Sequence, residues 1–333
     1  MIKKTLLLSL SLYLTSLPLL ANEVIKSVSY QWLTMGKPSG AQNVIYYKDG
    51  RVDSEFSFTD RGRGPNTKES VWLNEQGLIT KQKVSGNSYM GSPVDEVFSL
   101  VKGQATWKNT QESQSVSNAQ NKFYLAADGV PQDLEFLVKA IEKSASKTLS
   151  LLPSGTAQYQ NLLTTQIKSD KGEQKNVSLI AITGLGFGPS YAWFDKELNL
   201  FALTYGWMGM APEGWASNLD KLYDLQTKSN SDYYKNLATQ YSQKLTGVTL
   251  FKNINVYTAT NQGLIKDTQV AIKDGKIVAI GKETNALKVG KTIDGKGKTL
   301  MPGLWDMHTH ISIDDGILNI VNGVTSVRDL ANK

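Results

Sequence analysis

The chain has 333 residues and two histidines, His308 and His310, standing two positions apart. On a β-strand side chains alternate between faces, so positions 306, 308 and 310 share one face. Two imidazoles placed this way can reach one ion, with the carboxylate of Asp306 beside them. Neutral ring nitrogens suit zinc, manganese, iron or nickel. A His-x-His pair alone leaves the coordination sphere unfilled, because structural zinc takes four protein ligands and catalytic zinc takes three. The same spacing serves ordinary core or surface positions, and both readings stand at this point.

The pair closes the run Thr299-Leu300-Met301-Pro302-Gly303-Leu304-Trp305-Asp306-Met307-His308-Thr309-His310. Pro302-Gly303 breaks one element, a short apolar strand follows, and Asn322 to Asp329 reads as the next strand. A helix running to Asn322 fits between them, with Asp314 and Asp315 at its N-terminal end, where acids are favourable. Asp329 ends the second strand, in a salt-bridge, turn or functional role.

This order of parts, Pro-Gly-Leu-x-Asp-x-His-x-His, resembles the first barrel strand of the amidohydrolase superfamily, in its imidazolonepropionase- and prolidase-like branch. The resemblance covers Phe251 to Asp329, about a quarter of the chain. It implies a small β-sandwich leading into a (β/α)8 barrel, with a metal site at the C-terminal ends of the barrel strands. The implied chemistry is hydrolysis of carbon–nitrogen bonds in amides or cyclic amides by metal-activated water. His308 and His310 then become two ligands of a divalent metal, zinc in the first place and manganese in the second. Asp306 becomes a carboxylate that orients a ligand from behind. The family's remaining ligands are a bridging carboxylated lysine or a glutamate, two further histidines and an aspartate on strand 8. None transfers to a position here, because 23 residues follow His310 and a barrel takes about 250. The expectation is an N-terminal fragment ending near barrel strand 2 and inactive alone, with no catalytic residue assigned. Its complete relative would take a small amide or dipeptide-like substrate.

The elements that must position this strand begin far upstream. Lys3 and Lys4, an apolar stretch from Leu6 to Leu20 and Ala21 predict a signal peptide over 1–21, cleaved before Asn22, and hence a periplasmic or secreted product. An uncleaved anchor is the alternative. The stretch is short and broken by Pro18, so no stable transmembrane segment is expected after its removal. Residues 22–247 predict a mainly β, antiparallel, strongly curved domain with two helices. Lys48-Asp49-Gly50 and Asn74-Glu75-Gln76-Gly77 sit between apolar runs as hairpin turns. Pro131 with Leu134, Leu137, Val138 and Ile141 predicts one amphipathic helix, the cover of the sheet. A second helix is expected after Asn230-Ser231, carrying Tyr234, Leu237, Ala238, Tyr241 and Leu245 and stopped by Gly247. Residues 248–300 read as the β-sandwich part, with strands at 248–257 and 268–280, the latter turned by Asp274-Gly275. Residues 301–333 read as the start of the incomplete barrel. Asn109 to Asn121 is expected as a mobile loop.

Composition narrows the function classes. The absence of cysteine removes disulfides and lipoprotein attachment, so stability must come from packing. Net charge is +6, scattered among acids, which does not support a nucleic-acid partner. Gly184-Leu185-Gly186-Phe187-Gly188-Pro189 lacks phosphate-loop spacing and reads as a tight connection. Arg61 and Arg63 read as loop cations, solvated or holding a carboxylate. Trp193, Trp207 and Trp215 pack a core or line an apolar pocket. Oligomeric state is open. A second function class therefore stands beside the hydrolase: a non-catalytic periplasmic β-rich binding or scaffold protein with a vestigial amidohydrolase segment.

Overall fold

The structure, a computed structural model, describes residues 23–330; the signal peptide expected over 1–21 lies outside them. The chain divides into two compact units, one reaching Gln226 and one starting at Thr227.

In the first unit β1 (Val24–Thr34), β2 (Lys37–Tyr47), β3 (Arg51–Phe58), β4 (Asn66–Leu73), β5 (Ile79–Asn87), β6 (Pro93–Val101), β7 (Gln104–Lys108) and β8 (Ser113–Val116) form an antiparallel meander. Then come β9 (Lys122–Tyr124) and α1 (Asp133–Lys143). The unit continues with β10 (Thr148–Leu152), β11 (Thr156–Lys168), β12 (Gln174–Thr183), β13 (Ser190–Phe194), β14 (Leu200–Tyr205) and β15 (Met208–Pro212). All fifteen strands belong to one sheet, joined in the middle by antiparallel pairing of β1 with β15. Its end strands, β8 and β9, are sequence neighbours that are not hydrogen-bonded to each other. β9 nevertheless lies against the other half of the sheet, because Tyr124 stacks on Phe98 of β6 with ring centroids 4.2 Å apart and lies 5.7 Å from the Trp107 ring of β7. The sheet therefore curls, as its turn chemistry predicts. Gly50 turns β2 into β3 at φ +83°, and the Asn74 side chain accepts from the backbone N–H groups of Gln76 and Leu78 between β4 and β5.

Strand alternation decides which residues the curl encloses. In β3, Val52, Ser54 and Phe56 face inward, while the side chains between them are more exposed. Helix α1 covers this inner face with Phe136, Leu137, Val138, Ala140 and Ile141, all buried, so the predicted covering helix is present. On β12 to β14 both faces are buried. Ile180, Ile182 and Phe194 join the inner core, and Leu179, Trp193 and Phe201 form a second cluster with Trp215.

Two expectations need correction. The second helix, α2, spans Leu219–Tyr241. It starts well before Asn230 and stops before Leu245, because burial anchors its first turns: Leu219 and Leu222 close the second cluster. The stripe at Tyr234, Leu237 and Tyr241 reaches partial burial at best, so helical spacing there does not mark a core face. Asn109 to Asn121 is not a plain loop. It contains β8, held by an Asn109 side chain that accepts from the N–H groups of Gln111 and Glu112 and by Trp107 Nε1 donating to Glu112 at 2.6 Å.

With this core, residues 22–247 expressed alone are expected to melt in one cooperative transition by calorimetry. A broad melt with dye-binding surface would show that they depend on the remainder.

The second unit holds a mixed five-stranded sheet of β16 (Val248–Tyr257), β17 (Leu264–Lys273), β18 (Lys276–Ile280), β19 (Val289–Asp294) and β20 (Thr299–Leu300). Asp274 and Gly275 turn β17 into β18, both at positive φ, as a two-residue hairpin requires. Its core is small: Ile254, Val256 and Val270. Then β21 (Leu304–Thr309) and β22 (Val324–Asp329) pair in parallel across α3 (Asp315–Val321). This is one β-α-β step, and no barrel closes among the described residues.

Candidate metal centre

The strand carrying the histidines is set by the break before it. A Cβ at Gly303 would lie 2.0 Å from Thr325 Oγ1, so a side chain there would push β22 off β21. With glycine in place, Leu304 registers with Val324, Asp306 with Val327 and Thr309 with Asp329. The last rung is extended by the Leu330 N–H donating to Thr309 O at 3.0 Å.

Asp306 and His308 lie on β21 and His310 one residue past its end; Asp306 is half-buried, while His308 and His310 are exposed. The two rings lie nearly parallel, with centroids 5.5 Å apart and planes 19° from each other. Their Nε2 atoms are 3.4 Å apart. Asp306 Oδ1 accepts from the backbone N–H of His308 at 3.0 Å, so its hold is on the strand and not on a ring nitrogen. Among the described residues no group of three or more His, Cys, Asp or Glu is arranged to hold a metal ion. The structure thus brings the histidines together and adds no third ligand.

The aspartates after the strand do not cap α3 through their side chains. They turn back, and Asp315 Oδ2 accepts from the Ser312 N–H at 2.6 Å. Elsewhere Arg61 holds a carboxylate, Asp60, at 3.2 Å. The tryptophans separate: Trp193 and Trp215 are core, whereas Trp207, 41% exposed, lines a surface cavity of about 570 Å³ with Leu33, Asp220 and Tyr223. Gly184 to Pro189 joins β12 to β13 as a hairpin connection.

One cluster escaped the sequence reading. Gln42, Glu69, Gln82 and Glu96 stand on the inner face of β2, β4, β5 and β6, under the first turn of α1 with Gln132, Asp133 and Glu135. All seven are buried. Burial together with the neighbouring Glu135 drives the Tyr46 hydroxyl far above the usual phenol range. Burial also pushes the Asp133 carboxyl up to about 7 and Glu69 well above the usual carboxylate range. The available signal is polar residues at inward parity: Glu69 between Thr67 and Val71, and Glu96 between Val94 and Phe98.

No family model matches the chain. Adenine deaminase 2 of Shouchella clausii (strain KSM-K16) is 45% identical over 65 residues, 19% of this chain and 11% of that protein. Imidazolonepropionase of Alkaliphilus metalliredigens (strain QYMF) is 57% identical over 54 residues, 14% of this chain and 13% of that protein. The L-hydantoinase (dihydropyrimidinase) structure from Arthrobacter aurescens aligns at 29% identity and a TM-score of 0.22, covering 25% of this chain and 20% of that one. These are partial similarities to amidohydrolase-superfamily enzymes, and the chain spans about an eighth of the length of the curated relatives it matches.

Proposed function

We propose that the segment from Phe251 to Asp329 is the front portion of a metal-dependent hydrolase acting on carbon–nitrogen bonds, with His308 and His310 as two ligands of one divalent ion. The observation that carries this reading is the 3.4 Å separation of the two Nε2 atoms. Two nitrogens bound tetrahedrally at the usual zinc distances lie about 3.3–3.4 Å apart, so the donor set fits zinc first and manganese second. When bound, such an ion supplies Lewis acidity toward water and an amide carbonyl. The residues present do the preparatory work. Both rings must be neutral at Nε2 to donate, and Asp306 fixes the backbone between them through the His308 N–H. A small amide, cyclic amide or dipeptide-like substrate follows from the similarity to imidazolonepropionase and L-hydantoinase. The product of the leader over 1–21 would act in the periplasm or outside the cell.

Two ligands hold a metal weakly. The 333-residue chain is therefore expected to bind about one zinc per chain weakly, and to hydrolyse no amide or dipeptide. His308→Ala with His310→Ala should remove that zinc, read by calorimetric titration, without lowering the thermal midpoint. Equal zinc binding by the double variant would refute the ligand assignment. Metal-dependent hydrolysis by the purified chain, lost in the double variant, would mean that a second copy completes the site.

A second reading is favoured by one observation: among the described residues no third ligand joins the pair. In it the fifteen-stranded unit is a binding or scaffold module and the histidine strand is vestigial. Absence of any stoichiometric zinc would select it.

A further inference from the structure

Glu69 and Asp133 are 3% and 6% exposed, and one amide, that of Gln82, reaches both carboxyls. Gln82 Nε2 donates to both, at 2.6 Å to Glu69 Oε1 and at 3.5 Å to Asp133 Oδ2. Their outer oxygens, Glu69 Oε2 and Asp133 Oδ1, are buried and accept from no N–H or O–H. Gln82 Oε1 is buried beside them and unpartnered as well. The Asp133 carboxyl sits in space that Gly129 leaves open, since a Cβ there would lie 2.1 Å from its Oδ2.

The surrounding groups supply no positive charge. From β2 come Gln42 and Tyr46, from β4 Thr67, and from β6 Glu96, whose carboxylate accepts from the Tyr124 hydroxyl and the Ala127 N–H. From α1 come Gln132 and Glu135, and the nearby ammonium of Lys139 is taken up by Glu135 at 2.6 Å. The strongest influences on either carboxyl are burial and neighbouring acids and amides, not a lysine, arginine or histidine. Two bare carboxylates side by side in a dry interior repel and lose their hydration. A proton between them removes one charge and partners both orphaned oxygens.

We propose that Glu69 and Asp133 form a buried carboxyl–carboxylate pair, and that its shared proton is the ligand fastening the first turn of α1 to β4 and β5. Asp133 is the first residue of α1, where the helix dipole favours negative charge, so Glu69 is the member that keeps the proton. The direction of the pH effect follows. Burial raises both carboxyls in the folded chain, Asp133 to about 7 and Glu69 well above the usual carboxylate range, whereas the unfolded chain releases both protons near 4. The folded state therefore holds the extra protons. Its stability is greatest below about pH 4 as far as this pair is concerned, and falls as pH rises for as long as the folded chain holds protons that the unfolded chain has released.

The test uses the full chain and Glu69→Gln. Infrared spectra at pH 8 should show a protonated-carboxyl C=O band in the wild type that the variant lacks. Hydrogen exchange of the peptide spanning 133–143, corrected for intrinsic rates, should show wild-type protection falling as pH rises above 7, by up to about tenfold per pH unit, the limit for one proton. In Glu69→Gln that slope should vanish. A wild type without the band, or equal slopes in the two proteins, overturns the proposal. The wild-type band decides by itself if the variant does not fold.

Discussion

Glu135→Ala is expected to destabilise the first unit by about 3–5 kcal/mol, the cost of breaking a buried ion pair from one side. Four donors converge on this carboxylate, which is 1% exposed. Lys139 Nζ at 2.6 Å and Tyr46 Oη at 3.1 Å reach Oε1. Gln132 Nε2 at 2.6 Å and the Leu200 N–H at 2.8 Å reach Oε2. One side chain thus joins α1 to strands from both halves of the sheet, β2 and β14. Its loss takes the acceptor from the Tyr46 hydroxyl and the Leu200 N–H, while Lys139 keeps Asn199 Oδ1 at 2.7 Å and Gln132 Nε2 keeps Tyr46 Oη at 2.8 Å. Lys68–Glu55 provides the control, an equally short pair at 2.6 Å whose side chains are mostly exposed. Removing it should change little. Urea unfolding of both variants checks the contrast, and similar midpoints for the two would refute it.

Trp193→Ala should cost about 3–5 kcal/mol through the cavity it leaves, since Trp193 is fully buried in the cluster shared with Phe201 and Trp215. Trp193→Phe should cost far less. The indole Nε1 has no hydrogen-bond partner, so phenylalanine gives up some packing and at the same time removes a buried donor that was never satisfied. Calorimetric midpoints should therefore rank wild type close to Trp193→Phe and both well above Trp193→Ala. A phenylalanine variant as damaged as the alanine one would show that the indole's full shape, and not its burial, is what the cluster needs.

What could be read without coordinates follows the physics of each signal. The histidine pair was legible because strand parity is a strict period of two, and the break at Pro302-Gly303 placed the strand. Helix α1 was legible because Pro131 marks its start and an unbroken apolar stripe follows. Helix α2 was misplaced because its true anchor is two leucines near the start, Leu219 and Leu222, while the longer periodic stretch after Asn230 buries little. β8 was missed because Ser113-Gln114-Ser115-Val116 has loop composition. It is a strand because β7 offers it an edge and Asn109 and Glu112 shape the turn. The polar network beneath α1 was hidden for a related reason. Glutamine and glutamate at inward positions read as solvent-facing until neighbouring strands and a helix enclose them, and that enclosure is a property of the curled sheet.

The pairing of β1 with β15 has a consequence for the order in which the unit assembles. Tyr30 registers with Pro212 and Thr34 with Met208, so this rung closes a loop of some 180 residues, whereas β1 to β8 pair as local hairpins. Local pairings form first and distant ones are slow, because the loop entropy is lost before the contact is gained. One edge of β1 stays open during synthesis until the chain has emerged past Pro212. The unpaired edge from Tyr30 to Thr34 is a template for other chains. The interval before β15 arrives is thus when self-association competes most strongly with folding.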